Sequence, residues 1–168
     1  MLTLSRKNSL TFESVEIGKV IDTAVDFSRM LIEKNQIEVR LDETNHHVLL
    51  ECYHIQISQV IINLLKNAVE AVKNLDQRWI EIKVLVENEN LVITVTDSGT
   101  GMNDEVKDKI LLPFFTTKKI GEGTGLGLSI SRTIIDNHSG MLEISRESQH
   151  TQFRISLPLK QKALRVAA

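Results

Sequence analysis

A glycine-rich run near residue 121 constrains this chain more than any other feature. Residues 121–128 read Gly-Glu-Gly-Thr-Gly-Leu-Gly-Leu, so four of the eight glycines in the chain occupy alternate positions of one short segment. Glycine lets backbone N–H groups approach a ligand without a Cβ in the way, and such groups at a helix N-terminus bind phosphate. Apolar residues at helical spacing follow, which predicts a helix over about 126–138. The segment therefore predicts a phosphate-binding turn that leads into a helix.

The commonest nucleotide-binding patterns do not fit this run. Gly18-Lys19 is the one Gly-Lys pair in the sequence, and it lacks both the Ser or Thr and the earlier glycine of a P-loop. The glycines at 121–127 repeat every second residue, unlike the G-x-G-x-x-G of a Rossmann turn. The HRD and DFG triplets of protein kinases are missing too. A different nucleotide-binding fold is expected.

Composition favours a single domain with an aliphatic core. Of the 168 residues, 42% are hydrophobic and only 4% are aromatic. A net charge of −2 gives no electrostatic argument for nucleic acid or an anionic membrane, and the single Cys52 excludes an internal disulfide. No apolar run approaches the ~20 residues that span a bilayer. We expect a cytoplasmic domain without direct contact to nucleic acid or membrane, and leave open whether a longer parent protein is membrane-anchored.

Hydrophobic periodicity predicts an α+β fold. The segments with helical or alternating spacing are helices over 16–32 and 57–72 and strands over 37–41, 48–51, 80–86, 91–97, 141–146 and 152–157. The strands on either side of residues 87–90 read as a hairpin. Residues 98–124 are too long for an ordinary loop and are either a functional lid or disordered. Because strands and helices do not alternate regularly, we expect a two-layer sandwich, with helices on one face of a mixed sheet.

Two asparagines share one face of the most apolar predicted helix. Asn63 and Asn67 are four residues apart, which places both amides on the same side. An unpaired buried amide costs roughly 2–7 kcal/mol on transfer scales, so the pair needs a reason. Either both lie on an exposed edge, or an amide oxygen binds a hard cation such as Mg²⁺, which prefers oxygen ligands.

A carboxylate follows the second strand of the predicted hairpin. Asp97 opens the sequence Asp-Ser-Gly-Thr-Gly, and its side chain can accept a hydrogen bond from an exocyclic amine such as adenine N6. Guanine presents a carbonyl oxygen at that place instead. An ordinary Asp-containing turn explains the same residues, so this motif alone leaves both interpretations open.

Together these segments resemble the catalytic and ATP-binding domain of bacterial sensor histidine kinases, over about residues 15–158. The matching stretches are Asn-Leu-Leu-Lys-Asn-Ala at 63–68 (N box), Asp-Ser-Gly-Thr-Gly at 97–101 (G1 box), Pro-Phe-Phe-Thr-Thr-Lys at 113–118 (F box) and Gly-Thr-Gly-Leu-Gly-Leu at 123–128 (G2 box). Residues 151–158 are similar to the closing strand. The resemblance implies the Bergerat sandwich with its long ATP lid, shared with DNA gyrase, a heat-shock chaperone and mismatch-repair ATPases.

The resemblance also implies roles for individual residues. Asn67 corresponds to the asparagine that binds Mg²⁺, and Asp97 to the aspartate that selects adenine. The further implied nucleotide-binding residues are Asn63, Gly99, Gly101, Lys118, Thr124, Gly125, Leu126, Gly127 and Thr151, and the implied catalytic residues are Asn63, Lys66 and Asn67. For Phe114 and Phe115 there are two readings, plain core packing or a plug that grips the lid and partner helices.

Position 63 separates two reaction classes within this fold. The related ATPases carry a glutamate four residues before the Mg²⁺ asparagine as general base, and this chain has Asn63 there. An amide does not accept a proton at neutral pH, whereas phosphoryl transfer depends mainly on positioning and charge neutralisation. Asn63 therefore favours a kinase over an ATPase. The resemblance implies that this kinase is a protein histidine kinase of two-component signalling, which binds Mg·ATP and transfers the γ-phosphoryl group.

The acceptor histidine of that family is not found in this sequence. None of the five histidines lies in a His-Glu-x-x-x-Pro motif, and His150 stands where the family often has glycine. We expect the acceptor on a dimerisation hairpin, in the same parent chain or in trans, with a response regulator as indirect partner. The expected division is 1–14 as the end of that hairpin or its linker, 15–158 as catalytic domain and 159–168 as basic tail. Alternatives are a stand-alone serine kinase of the anti-sigma type and a regulatory nucleotide-binding module.

Overall fold

The computed structural model describes residues 12–118 and 124–161. The elements are, in chain order, β1 Glu13–Glu16, α1 Ile17–Lys34, β2 Glu38–Leu41, β3 Leu49–Cys52, α2 His54–Val72, β4 Trp79–Glu87, β5 Asn90–Asp97, α3 Asp104–Lys109, α4 Gly127–Asn137, β6 Met141–Ile144 and β7 Gln152–Pro158. Gly121 and Gly123 of the glycine run lie outside the described residues, as do most of the predicted linker 1–14 and most of the predicted tail 159–168.

A five-stranded mixed sheet confirms the predicted architecture. Its strand order is β2-β4-β5-β7-β6, with β2 parallel to β4 and all other pairs antiparallel. The hairpin of β4 and β5 is closed by Asn88 and Glu89, which both have positive φ, 48° and 65°. Its register pairs Ile80 with Asp97. Asp97 therefore ends the central strand of the sheet.

The helices form the second layer of the sandwich. α1 and α2 pack against each other, and α2 and α4 contact the sheet. The apolar stripe of α2 is buried because its residues recur at helical spacing: Ile57, Val60, Ile61, Leu64, Leu65, Ala68, Val69 and Val72. Fully burying a side chain the size of Leu or Ile contributes about 1.5–3 kcal/mol. Among the buried hydrophobic residues described, Phe153 is the one aromatic, so the core is aliphatic as predicted.

Two short elements differ from the sequence prediction. β1 lies where no period is evident, and it pairs antiparallel with β3 in a separate two-stranded sheet. α3 lies inside the segment expected to be pattern-poor, and Asn103 caps it by accepting a hydrogen bond from the Val106 N–H at 2.8 Å. Ordered contacts extend slightly past both predicted bounds of the catalytic domain. At the start, β1 begins at Glu13, and at the end the Leu159 carbonyl accepts a hydrogen bond from the Glu51 N–H at 3.0 Å. The division at residues 15 and 158 stays a prediction.

Ser139 and Gly140 close the C-terminal end of α4. Ser139, with a φ of 55°, adopts the left-handed conformation, and the Gly140 N–H donates to the Ile135 carbonyl at 3.0 Å. Glycine is needed at 140 for another reason, because a Cβ there would lie 2.4 Å from the Ser156 carbonyl oxygen.

Within residues 12–118 and 124–161, no helix combines the length and apolar character needed to cross a bilayer.

Candidate functional site

A cavity of about 670 Å³ lies between α2, the end of β5, the segment before residue 118 and the start of α4. The predicted site residues on its wall are Asn63, Lys66, Asn67, Asp97, Lys118, Thr124, Gly125, Gly127 and Thr151. Gly99 and Gly101 line a neighbouring cavity of about 410 Å³ that shares Thr151 with the first. Leu126 lines neither cavity and is the residue just before α4. Residues from four distant parts of the chain thus meet around one space.

Asp97 is the buried charged group of this site. Its side chain is only 3% exposed, and its backbone N–H donates to the Thr151 carbonyl at 3.0 Å. Burial raises the pKa of its carboxyl from 3.8 to about 6, whereas hydrogen bonds from the Gly99 N–H and the Thr151 hydroxyl, and nearby His150, lower it. The group is therefore mostly ionised at neutral pH, and it presents a strong acceptor in a largely apolar surrounding.

The loop after Asp97 fits closely around its carboxylate. The Gly99 N–H donates to Asp97 Oδ1 at 2.8 Å, and a Cβ on Gly99 would lie 2.7 Å from the same oxygen. Gly101 has a φ of 80°, in the left-handed region. Both positions therefore require glycine, one for space and one for backbone conformation.

Asn63 braces the first turn of α4 against α2. Its Nδ2 donates to the hydroxyl of buried Ser131 at 3.0 Å, and a Cβ on Gly127 would lie 2.5 Å from its Oδ1. Gly127 is therefore required for the close approach of the two helices, apart from any contact with phosphate. Asn67 is half-buried on the cavity wall, and no described residue hydrogen-bonds to its side chain. The exposed-edge interpretation of the two asparagines is wrong.

The segment around Phe114 is attached to the glycine turn. The Phe114 N–H donates to the Gly125 carbonyl at 2.9 Å, and Gly125 has a φ of 65°. A Cβ on Gly125 would lie 2.5 Å from the Phe114 carbonyl carbon, so no other residue fits there without displacement. The Phe114 side chain is 76% exposed, so core packing is wrong for this residue. Phe115 is half-buried and lines the cavity.

Sequence reasoning does not find three residues that hold the site together. Ser131 accepts from Asn63, His150 lies with Nδ1 2.9 Å from the Gly99 carbonyl oxygen, and the Trp79 N–H donates to the Ser98 hydroxyl at 3.2 Å. For Ser131 a signal exists, since a polar residue one helical turn after Gly127 shares its face. For the other two, the contacts join residues far apart in sequence.

Residues 52–161 match the family model described as histidine kinase-, DNA gyrase B- and HSP90-like ATPase. Sporulation kinase E of Bacillus subtilis (strain 168) is 31% identical over 163 residues, which cover 96% of this chain and 22% of that protein. The chain thus spans about a fifth of the length of this relative.

Solved structures give the same relationship. The catalytic domain of histidine kinase ThkA, in a nucleotide-free form, superposes with a TM-score of 0.79 at 33% identity, covering 88% of this chain and 95% of that one. ThkA in complex with the response regulator protein TrrA superposes with a TM-score of 0.75 at 28% identity, covering 89% of this chain and 42% of that one.

Proposed function

Because the chain belongs to the family of histidine kinase-, DNA gyrase B- and HSP90-like ATPases, we propose that it binds Mg·ATP and transfers the γ-phosphoryl group to a histidine of a separate helical hairpin. ATP binding follows from the family. One observation supports phosphoryl transfer. The same cavity is lined by the buried carboxylate of Asp97 and by the amide of Asn63, at the position where an ATPase needs a base.

We propose that Asp97 recognises the adenine base. Its carboxylate accepts from Gly99 and Thr151, and these bonds hold it in one orientation at the cavity. An exocyclic amine entering the cavity donates to such a group, whereas a carbonyl oxygen at that place is repelled. This difference favours adenine over guanine.

The start of α4 is the proposed phosphate site. Gly125 and Gly127 lie on the cavity wall, and the helix N-terminus offers free N–H groups and the positive end of its dipole. Lys66 and Lys118 line the same cavity and add positive charge.

The residues present fit Mg²⁺. The Asn67 amide is half-buried on the cavity wall without a side-chain partner in the described part of the chain, and Mg²⁺ takes one or two protein oxygens besides phosphates and water. When bound, the ion neutralises negative charge on the phosphate oxygens.

Among residues 12–118 and 124–161, no side chain is well placed to activate water beside Asn63. Its amide nitrogen already donates to Ser131, and its oxygen faces Gly127. Besides Asp97, the carboxylate on the cavity wall is Glu70, which is exposed and pairs with Lys73 at 2.9 Å. We therefore infer that another module supplies the nucleophile and that this nucleophile does not depend on a base from this cavity. A histidine side chain is such a nucleophile.

The rim of the cavity offers an apolar docking surface for such a hairpin. Leu112, Phe114 and Ile130 are 47%, 76% and 48% exposed, next to the segment and helix that line the cavity. A response regulator is the proposed recipient of the phosphoryl group after the hairpin histidine. The proposed place of action is the cytoplasm, where ATP is available.

The test follows γ-labelled ATP with the chain and a separately produced dimerisation hairpin from a related histidine kinase. We expect acid-labile label on the hairpin histidine and little free phosphate. Transfer should be weaker than in a tethered protein, because tethering raises the effective concentration. Rapid release of free phosphate would instead indicate an ATPase, and acid-stable label on serine would indicate the serine-kinase alternative. ATP binding without transfer to any hairpin supports a regulatory module.

A further inference from the structure

His150 lies in the turn before β7, directly against the loop that follows Asp97. Its Nδ1 is 2.9 Å from the Gly99 carbonyl oxygen, and because a carbonyl only accepts, Nδ1 carries the proton. The same turn touches this loop a second time, since a Cβ on Gly101 would lie 3.3 Å from the Gln149 carbonyl oxygen. The turn therefore supports the loop at both of its glycines.

Both peptide groups of Gly99 are hydrogen-bonded, one to Asp97 and one to His150. Its N–H donates to Asp97 Oδ1 at 2.8 Å, and its carbonyl accepts from His150. Glycine has more backbone freedom than any other residue, so a glycine held at one peptide group alone can rotate away. With both peptide groups bonded, the N–H stays directed at the carboxylate.

The imidazole of His150 is held by protein neighbours. Its ring meets the Trp79 ring edge to face, with centroids 5.0 Å apart and planes at 78°. The backbone N–H of His150 donates to the Ser148 hydroxyl at 3.1 Å, which holds the turn that carries the ring. The Ser98 backbone N–H donates to the Trp79 carbonyl at 3.0 Å, which joins Trp79 to the loop. Arg40 covers the Trp79 ring, with its guanidinium carbon 4.9 Å from the centroid. This surrounding fixes the ring before any ligand arrives.

We propose that His150 is a positioning residue for base recognition, which acts through Gly99 to hold the Asp97 carboxylate in the orientation that an adenine amine requires. The proposal rests on the proposed function, because it takes Asp97 as the group that reads the base.

The test compares ATP and GTP affinities, in Mg²⁺, of the unmodified chain and three variants. His150→Ala removes the donor, and we expect ATP affinity and the ATP-over-GTP ratio each to fall about three- to tenfold, the range for one hydrogen bond. His150→Asn keeps an N–H close to the place of Nδ1 and should restore most of both. His47→Ala, at an exposed histidine, is the matched control and should change neither.

A purely structural role of His150 predicts different results. It would lower the thermal midpoint of His150→Ala and leave the ATP-over-GTP ratio unchanged, and that result overturns the proposal. Failure of His150→Asn to rescue the ratio overturns it as well.

Nitrogen NMR of the unmodified chain adds a test that needs no variant. We expect the neutral His150 ring to carry its proton on Nδ1, and a proton on Nε2 contradicts the proposed bond. If the unmodified chain binds neither nucleotide, the proposed function fails and this inference falls with it. If it prefers ATP and His150→Ala keeps the same preference, this inference alone is wrong.

Discussion

A carboxylate inside a folded protein loses its hydration, and Asp97 is such a group. Burial raises its pKa from 3.8 to about 6, which corresponds to about 3 kcal/mol of lost stability at neutral pH. Because the folded-state pKa is the higher one, the stability contribution of this group is fully present below about pH 4 and is lost as the pH rises through about 6. This cost in stability supports the proposed role of Asp97 in recognition.

Replacing Asp97 by asparagine should reveal this cost. The amide keeps the shape and can still accept from Gly99, but it carries no charge. We expect Asp97→Asn to be more stable than the unmodified chain at pH 7 by up to about 3 kcal/mol, and the difference to vanish towards pH 4. Urea unfolding of both proteins between pH 4 and 8 measures it. Two curves with a constant separation would show that Asp97 does not titrate as described.

The proposed metal role of Asn67 makes a separate prediction. Asn67→Ala should weaken ATP binding in Mg²⁺ and change it little in EDTA, because only the metal-bound complex uses the amide oxygen. Asn74→Ala, at an exposed asparagine just after the same helix, is the control. Equal weakening with and without Mg²⁺ would assign Asn67 to the nucleotide rather than to the metal.

Asp97 and Asn67 lie in motifs that the sequence shows, whereas the residues with which their neighbours pair could not be predicted. Asp97 and Asn67 stand in short, recognisable segments. Ser131 lies 68 residues from Asn63, and His150 lies 51 residues from Gly99. Pairs so distant are brought together only by the packing of helices and strands, which no local pattern encodes.

Two polar bridges hold α4 along α2, one near each end of α4. At its start, Asn63 donates to Ser131. At its end, buried His138 accepts from the Tyr53 N–H through Nε2 at 3.1 Å, while its Nδ1 lies 2.7 Å from the Ile134 carbonyl oxygen. Burial lowers the pKa of His138, so the ring is neutral and able to accept. The bridges fix the helix whose first turn faces the cavity.

Removing the bridge near the cavity should affect both stability and binding. Ser131→Ala leaves the Asn63 amide without its acceptor, and we expect a loss of about 1 kcal/mol in the free energy of unfolding, together with weaker ATP binding. Ser129→Ala is the matched control, since in the described part of the chain that hydroxyl donates to the Leu126 carbonyl of its own turn and to no residue of α2. A double-mutant cycle of Asn63→Ala with Ser131→Ala should give a coupling near about 1 kcal/mol, and additive effects would refute the bridge.

The segment from 102 to 118 contains α3, one of the two short elements that sequence periodicity did not predict. α3 has six residues and buries none of them, so no apolar period marks it. The longer helices and the strands of the main sheet are predicted because burial on one side imposes a period on their sequences. Short elements such as β1 and α3 carry too few residues for that signal.

This segment should respond to the nucleotide. Since α3 buries no residue, we expect fast amide hydrogen exchange over 104–118 in the free chain and slower exchange when Mg·ATP is bound. α2, with nine buried residues, serves as the internal reference and should be protected in both states. Equal protection of 104–118 with and without nucleotide would contradict a lid role.

The proposed base-recognition group and the proposed phosphate-binding turn lie on different layers of the molecule. Asp97 ends β5 and Thr151 lies just before β7, whereas Asn67 and Gly127 belong to helices α2 and α4. A nucleotide in the cavity therefore contacts both layers and stabilises the fold as a whole, by about 2.7 kcal/mol at a concentration one hundred times the dissociation constant. We propose above all that this cavity selects Mg·ATP.

Calorimetric titration of the unmodified chain and of Asp97→Asn with ATP and GTP, in Mg²⁺, tests that claim most directly. We expect the unmodified chain to bind ATP at least about tenfold more tightly than GTP, since a hydrogen bond to a charged group contributes roughly 1.5–3 kcal/mol. Asp97→Asn, folded and stable, should lose most of this preference. Equal affinity of the unmodified chain for both nucleotides, or an unchanged preference in Asp97→Asn, would contradict the account.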